Sequence, residues 1–251
     1  MVRNWFIGKI GLAALLLLGS PQARAQAVTA EALLQESDRA RGGVAGGITW
    51  NATVEAEEEG QKTSRSFLVK ARENDALVEA LAPPRHKGEI MLFNDRIIWF
   101  IKPGLRRPVS ISPRQRLSGD AANGDIASTN YARDYQGTIA GEESVNGEET
   151  YLLELKARGK NVTYDRIRYW ISKKKHLGVK AEFLTVSGTV FKTAAFEYGS
   201  VLRSPAGDFP FVSVMTIRDA TGSGAVTRIL FETPRAEKHP VTMFNINNVV
   251  R

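Results

Sequence analysis

The order of apolar and polar residues divides the chain into one helical segment and a long series of strands. Leu33 and Leu34 begin an apolar stripe at helical spacing, Thr29 stands in the N-cap position, and a Gly-Gly pair follows the last turn. From Ile48 to Glu57, apolar and polar residues alternate, which is typical of a strand with one buried face. The pattern predicts one amphipathic helix followed by a β domain.

Strand-like runs continue to the end of the chain. They are Ser66–Ala71, Ala76–Leu81, Glu89–Phe93, Arg96–Lys102, Val109–Ser112, Tyr135–Glu142, Thr150–Ala157, Asp165–Ser172, Val179–Val186, Val190–Tyr198, Phe211–Arg218 and Val226–Glu232. Turn residues such as Asn94-Asp95 and Asn146-Gly147 leave connections too short for parallel crossovers. We therefore predict a mainly β (α+β) fold, in which a single curved antiparallel sheet forms a half-open barrel and a few helices act as a lid.

One long stretch, Arg114–Tyr135, interrupts the strands. It is rich in polar and small residues, and Asp125 is a candidate N-cap for a short helix that contains Ile126 and Tyr131. Ordered excursions of this length are often lids or binding loops. This stretch is the first candidate for a lid over the sheet, and the N-terminal helix is the second.

Composition and motifs argue against an enzyme. The chain is 43% hydrophobic and 24% charged, as soluble globular domains are, and it contains no cysteine for a disulfide, a thiolate zinc site or a nucleophile. The histidines His86, His176 and His239 lie far apart and form no metal-binding motif. We predict no catalytic residue, no metal and no cofactor.

The N-terminus has the pattern of a secretory signal peptide. Arg3 and Lys9 precede or border a nine-residue run, Ile10–Leu18, that is too short to span a membrane, and Ala23-Arg24-Ala25 offers small residues for cleavage. We predict a signal peptide over residues 1–25 and a single secreted domain over residues 26–251. Without the three basic residues of the signal peptide, the net charge falls from +7 to +4, which does not indicate nucleic-acid binding.

Two segments carry a family resemblance. Residues 66–72 (SFLVKAR) and 88–103 (GEIMLFNDRIIWFIKP), together with Lys87-Gly88, the run from Trp99 to Pro103, and Arg106 and Arg107, occur in this order. They resemble the LolA/LolB superfamily of periplasmic lipoprotein carriers, and within it the outer-membrane lipoprotein-sorting branch. The resemblance implies a curved antiparallel sheet closed by helices around an apolar hollow for acyl chains.

One position departs from this family. LolA carries an arginine directly after a Val-Lys pair, where it latches the lid, whereas this chain has Ala71 there and Arg72 one residue later. A shift of one residue along a strand moves a side chain to the opposite face. The latch is therefore not transferred to Arg72. Because Gln26 rather than a cysteine follows the cleavage site, we also expect no lipid anchor, unlike LolB.

These observations favour a periplasmic carrier that moves acyl chains from the inner to the outer membrane. One helix and one excursion provide little material to cover the apolar side of a dozen strands, so we expect an apolar cavity. Its expected lining is Trp50, Phe67, Val69, Leu92, Trp99 and Ile101, and its candidate rim or partner contacts are Arg72, Arg106 and Arg107.

The expected partners are lipoprotein acyl chains or a free lipid, an inner-membrane donor and an outer-membrane acceptor, with transient contact to a membrane surface. We expect a monomer and no nucleic-acid partner. Two alternatives stay open at this point. The resemblance to the lipoprotein-sorting branch also suggests a lipid-binding partner of an RND-type exporter, and the strand pattern also allows an envelope scaffold whose sheet face is fully packed. The basic run Lys173–His176 is either a solvated turn or a contact for anionic headgroups.

Overall fold

The structure, a computed structural model, describes residues 1, 28–94, 96–127, 130–205 and 207–249. The predicted signal peptide lies outside the described residues except for Met1. Helix α1 spans Ala30–Arg39, and the Thr29 side chain accepts a hydrogen bond from the Ala32 amide at 3.2 Å. This confirms the predicted N-cap, and Leu33 and Leu34 are buried on the predicted face of the helix.

Seventeen strands follow the first helix in the described part of the chain. They are β1 Ile48–Glu58, β2 Gln61–Arg72, β3 Asp75–Ala82, β4 Ile90–Asn94, β5 Ile97–Ile101, β6 Val109–Ile111, β7 Arg116–Ser118, β8 Ala121–Ala122, β9 Tyr135–Val145, β10 Glu148–Ala157, β11 Arg166–Ser172, β12 Gly178–Leu184, β13 Val190–Glu197, β14 Ser200–Leu202, β15 Phe209–Phe211, β16 Val214–Asp219 and β17 Val226–Ala236.

Thirteen of these strands form one antiparallel sheet in the order β6-β5-β4-β3-β2-β1-β17-β16-β13-β12-β11-β10-β9. The sheet is not closed, because β6 and β9 are its two edges. Its centre is the long pairing of the first strand with the last, for example Ala52 with Phe231. Two meanders are therefore joined through the pairing of β1 with β17. The predicted half-open barrel is confirmed.

The concave face of the sheet carries the core. Trp50 is fully buried there, and the centre of its ring lies 5.8 Å from that of Phe211. The residue after Phe211, Val212, donates a backbone hydrogen bond to the Ala40 carbonyl. Helix α1 adds Leu33 and Leu34 to the same cluster. Burial of each such large side chain stabilises the fold by about 1.5–3 kcal/mol. Much of the concave face is thus filled by the protein's own side chains.

The excursion between β6 and β9 is more structured than predicted. It contains the hairpin β7–β8, a 3-10 helix over Asn123–Asp125 and the short helix α2 over Tyr131–Asp134. Asn130 caps α2 by accepting a hydrogen bond from the Arg133 amide at 3.3 Å. The prediction that Asp125 caps this helix is wrong, since its carboxylate accepts instead from the Ala122 amide at 2.8 Å.

The C-terminal segment packs on the sheet as well. It forms a 3-10 helix over Val241–Phe244, which contacts β3 and β4, and the helix α3 over Ile246–Val249. Phe244 is buried, yet it does not belong to the core cluster of the concave face. The C-terminal segment therefore covers the other, convex face of the sheet.

Candidate functional site

A pocket of about 530 Å³ opens at one end of the concave face, over strands β2 to β6. Its apolar lining consists of Phe67, Val78, Ala80, Met91, Phe100, Ile111 and Leu117. Its polar lining consists of Arg65, His86, Glu89, Gln115, Arg116 and Asn123. The volume is within the range of pockets that hold small ligands, about 300–1,000 Å³. The apolar hollow is therefore smaller than the whole concave face and lies at one end of it.

The strand register brings the apolar lining together. Val78 is the direct partner of Met91, and Met91 is the direct partner of Phe100. Direct partners in an antiparallel sheet share a face. The same row continues through Val69 to Trp50 on the other side. One continuous apolar row therefore runs from the packed core into the pocket.

A group of charges marks one end of the pocket. The Glu89 carboxylate lies 3.0 Å from Lys102 Nζ, 2.9 Å from His86 Nδ1 and 3.6 Å from an Arg65 nitrogen. Burial would raise the pKa of Glu89, but the hydrogen bonds from Lys102 and His86 outweigh burial and hold this pKa below its ordinary value. Glu89 is therefore an ionised, nearly buried carboxylate at the pocket wall.

Arg65 connects two walls of the pocket. Its guanidinium lies 5.2 Å from the centre of the Phe67 ring and donates a hydrogen bond to the Leu117 carbonyl at 2.8 Å. Burial lowers the pKa of Arg65, and the Glu89 carboxylate opposes that effect. The arginine thus fixes the wall formed by β7 to the floor formed by β2.

Three of the six expected lining residues lie on the concave face. Phe67 lines the pocket, whereas Trp50 and Val69 are fully buried in the adjoining core. The other three do not line the pocket. Leu92 pairs with Leu77 and Trp99, so these side chains and Ile101, two residues further on, occupy the convex face. The expectation that Leu92, Trp99 and Ile101 line the cavity is therefore wrong. Their neighbours Met91 and Phe100 line the pocket instead.

The expected rim residues are also distributed differently. Arg72 donates a hydrogen bond to the His239 carbonyl at 3.0 Å, so it holds the C-terminal segment and does not border the pocket. Arg106 and Arg107 are exposed in the connection between β5 and β6. Phe100 and Ile111 of these two strands line the pocket, but neither arginine does. Contact of Arg106 and Arg107 with the rim or with a partner stays a prediction.

Sequence reasoning missed the polar part of the site. Arg65 and Glu89 were not singled out, and His86 was considered only as a metal ligand. Met91 and Phe100 were not expected in the lining. The Asn94-Asp95 turn does predict which residues pair across β4 and β5. It pairs Asn94 with Ile97, and Leu92 is therefore the partner of Trp99. It does not predict which face these pairs occupy.

Both predicted lid elements are fastened to the body. The Arg114 guanidinium makes two hydrogen bonds to the Asp165 carboxylate, at 2.8 and 2.7 Å, and the Tyr164 hydroxyl donates to the Asp125 carboxylate. A Cβ atom on Gly124 would lie 1.9 Å from the Thr163 hydroxyl oxygen, so glycine permits this close approach. These contacts hold the segment that walls the pocket against the connection between β10 and β11.

Helix α1 is fastened in turn to α2 and to the sheet. The buried Asp38 carboxylate accepts a hydrogen bond from the Ala132 amide at 2.9 Å, and the Ser37 hydroxyl lies 2.7 Å from the Tyr169 hydroxyl. Burial raises the pKa of Asp38 to about 7, while hydrogen bonds from the backbone of α2 and the charge of Arg41 oppose that rise. Opening of the helix would expose or break these buried polar contacts.

The basic run at the β11–β12 turn is mostly paired. Lys173 pairs with Glu142, Lys175 lies 3.7 Å from Glu148, and His176 lies 2.5 Å from Glu36.

No group of three or more potential metal ligands occurs among the described residues. No helix in the described part of the chain is long and apolar enough to cross a membrane.

The open half-barrel with a pocket on its concave face defines the class of protein by its architecture, which is that of LolA-like folds. Residues 72–251 match a protein family described as "-like: Uncharacterized protein", and no curated protein matches the chain. The chain belongs to this family, and its structure is similar to that of a LolA superfamily protein.

Three solved structures are similar to this one over most of the chain. A LolA superfamily protein from Nitrosomonas europaea is 27% identical, with a TM-score of 0.80 over 87% of this chain and 98% of its own. A putative outer membrane lipoprotein-sorting protein domain from Vibrio parahaemolyticus is 20% identical, with a TM-score of 0.73 over 88% of this chain and 98% of its own. A DUF1329 family protein from Desulfovibrio piger is 20% identical, with a TM-score of 0.71 over 87% and 97%. These matches confirm the predicted fold and the predicted resemblance to the LolA superfamily.

Proposed function

We propose that the protein binds an acyl chain of a lipoprotein or of a free lipid in the pocket over β2 to β6 and carries it through the periplasm towards the outer membrane. The observation that supports this most directly is the apolar row Val78, Met91 and Phe100, which leads from the core into an open pocket of about 530 Å³. An acyl chain gains about 0.8 kcal/mol for each methylene group that leaves water.

The composition of the pocket suits reversible binding. Its floor is apolar, Arg65 and His86 are engaged with Glu89 at one end, and Arg116 pairs with Glu58. Such a pocket offers few directional contacts to a hydrocarbon, so the cargo can be released to an acceptor. The limited volume favours one acyl chain at a time over a whole multi-chain lipid, with any further chains outside the pocket.

The first experiment is to purify the protein without detergent and to identify extracted lipids by mass spectrometry. An acylated peptide would identify a lipoprotein carrier, and a free lipid would favour the role of a lipid-binding partner of an RND-type exporter. Absence of any acyl species, together with no binding of a fluorescent fatty acid, would refute the carrier proposal.

A matched pair of variants tests the pocket itself. Ile111 lines the pocket on the edge strand β6, whereas its neighbour Ser110 pairs with Trp99 on the convex face. Ile111→Trp should fill the pocket and weaken binding of a fluorescent fatty acid, while Ser110→Trp should leave binding unchanged. Circular dichroism confirms that both variants are folded. Equal binding by both would show that the acyl chain does not occupy this pocket.

A second candidate function is an envelope scaffold, and the packed part of the concave face favours it. Trp50, Val69 and Phe211 are fully buried among the protein's own side chains. A scaffold requires only a stable exposed surface for a partner. It predicts the same stability and partner binding for Ile111→Trp as for Ser110→Trp.

A further inference from the structure

A second pocket, of about 540 Å³, lies beside the connection between β10 and β11, on the far side of the segment that walls the first pocket. Five of its lining side chains are cationic and one is acidic: Arg114, Lys156, Arg158, Lys160 and Arg166, with Asp165. Arg114 lines this pocket, and the next residue, Gln115, lines the apolar one. The two pockets are thus neighbours along the chain, with different chemistry.

The single carboxylate of the basic pocket is already engaged. Both oxygens of Asp165 accept hydrogen bonds from the Arg114 guanidinium, at 2.8 and 2.7 Å. Arg158 donates to the Tyr135 carbonyl, which carries no charge. Lys156, Lys160 and Arg166 form no ion pair with any residue that the structure describes. Asp165 is the one acidic residue in the lining of this pocket, and Arg114 already engages it. Lys156 and Arg166 also line a neighbouring pocket that contains Glu154, but among the described residues neither forms an ion pair with that carboxylate.

The strand register places two of these charges directly opposite each other. Lys156 of β10 and Arg166 of β11 are direct partners, and their other neighbours across the strands are Gln136 and Leu184. Like charges in this arrangement destabilise a sheet. A bound anion would remove that repulsion.

The adjacent row on the same face shows how the sheet normally balances such charges. Arg168 is the direct partner of Glu154 and forms an ion pair with Glu182 at 2.5 Å. The next row on this face, two residues away along each strand, is the pair Lys156–Arg166. This pair consists of two cations and no acidic residue. The imbalance is therefore confined to the row that lines the pocket.

We propose that this basic pocket binds a phosphate group, either free phosphate or the phosphate of an anionic phospholipid headgroup. The Arg166 guanidinium offers a planar pair of donors to two phosphate oxygens, and Lys156 and Lys160 add charge from flexible side chains. Val186, which is 75% exposed, lies on the same rim and would contact the membrane interface if a headgroup were the ligand. This site does not depend on the acyl pocket.

The test uses the full mature protein and two probes. Inorganic phosphate is titrated by calorimetry at low, fixed ionic strength, and vesicles of phosphatidylcholine with or without phosphatidylglycerol are tested by co-sedimentation. The double variant Lys156→Gln/Arg166→Gln removes the opposed charges. The control, Arg203→Gln/Lys238→Gln, removes one exposed arginine and one exposed lysine outside the pocket and has the same net charge.

The double variant should bind the effective probe at least about tenfold more weakly, as loss of a charge-assisted hydrogen bond predicts, whereas the control should bind like wild type. In phosphate-free buffer, the double variant should melt no lower than wild type because it lacks the opposed charges. Binding of inorganic phosphate identifies a free anion site, and binding of only the phosphatidylglycerol vesicles identifies a headgroup site. The proposal fails if neither probe binds, or if the double variant and the control bind equally.

Discussion

Met91 and Phe100 are direct partners across β4 and β5, and both side chains line the pocket on the concave face. The next residues along these strands, Leu92 and Trp99, are also partners but lie on the convex face. Two neighbouring aromatic residues, Trp99 and Phe100, therefore belong to different surfaces. This gives a sharp comparison for the acyl-binding proposal.

Phe100→Ala should weaken binding of a fluorescent fatty acid by about tenfold or more, because it removes a side chain whose burial contributes about 1.5–3 kcal/mol. Trp99→Ala is the control on the same strand and should leave that affinity unchanged. Both residues are half-buried, so both variants are expected to fold. If Trp99→Ala lowers affinity and Phe100→Ala does not, the pocket is not the acyl site.

Glu89→Gln should lower the free energy of unfolding at neutral pH by about 1–3 kcal/mol, because Arg65 and Lys102 lose their shared counter-charge. The pKa of Glu89 is lowered in the folded state, so its contribution is complete above about pH 4.5 and is lost as the pH falls further. Urea unfolding of wild type and variant at pH 7 and at pH 3 measures both effects. A difference that does not shrink at pH 3 would contradict the assignment.

Asp38→Asn should become more stable relative to wild type as the pH rises from about 4 to about 7. Burial raises the pKa of Asp38 to about 7, so within this window the folded protein retains a proton that the unfolded chain releases. Stability of wild type therefore falls as the pH rises through the window, and the asparagine variant lacks this loss. Thermal unfolding of both proteins at several pH values tests the sign. A stability difference independent of pH would show that Asp38 is ionised throughout.

Tyr164→Phe should loosen the segment that walls the pocket. It removes the hydroxyl that donates to the two Asp125 carboxylate oxygens at 3.0 and 2.8 Å. The buried carboxylate then keeps the hydrogen bond from the Ala122 amide but loses the one from Tyr164. The expected loss is about 1–3 kcal/mol in the free energy of unfolding. Hydrogen exchange should become faster in residues 112–127, with little change in β16 and β17. Uniformly faster exchange would instead indicate a general loss of stability.

The convex assignment of Leu92 shows where prediction from sequence failed. Strands β4 and β5 read IMLFN and IIWFI, with apolar side chains on both faces. Such runs do not alternate, so hydrophobicity alone cannot assign a face. The convex side of β4 is apolar because the C-terminal 3-10 helix, more than a hundred residues later, packs over it.

The polar end of the site escaped prediction for a related reason. Arg65 stands in a stretch of β2 with many polar residues, and nothing local distinguishes it from a solvated side chain. It is directed inward because it pairs with Val54, whose side chain is on the concave face. Its ion pair joins β2 to Glu89, the residue just before β4, so the cluster exists only after the sheet has formed.

The sequence by itself determined the local elements: the cap at Thr29, the alternation in β1 and the tight turns that make neighbouring strands antiparallel. These features depend on contacts within a few residues. Only the tertiary structure decided that β1 pairs with β17, that α1 and Phe211 pack into the core of the concave face, and that Lys156 and Arg166 stand opposite each other beside an open pocket. Such relationships depend on which distant segments compete for the same surface, and that competition is settled by packing and charge in three dimensions.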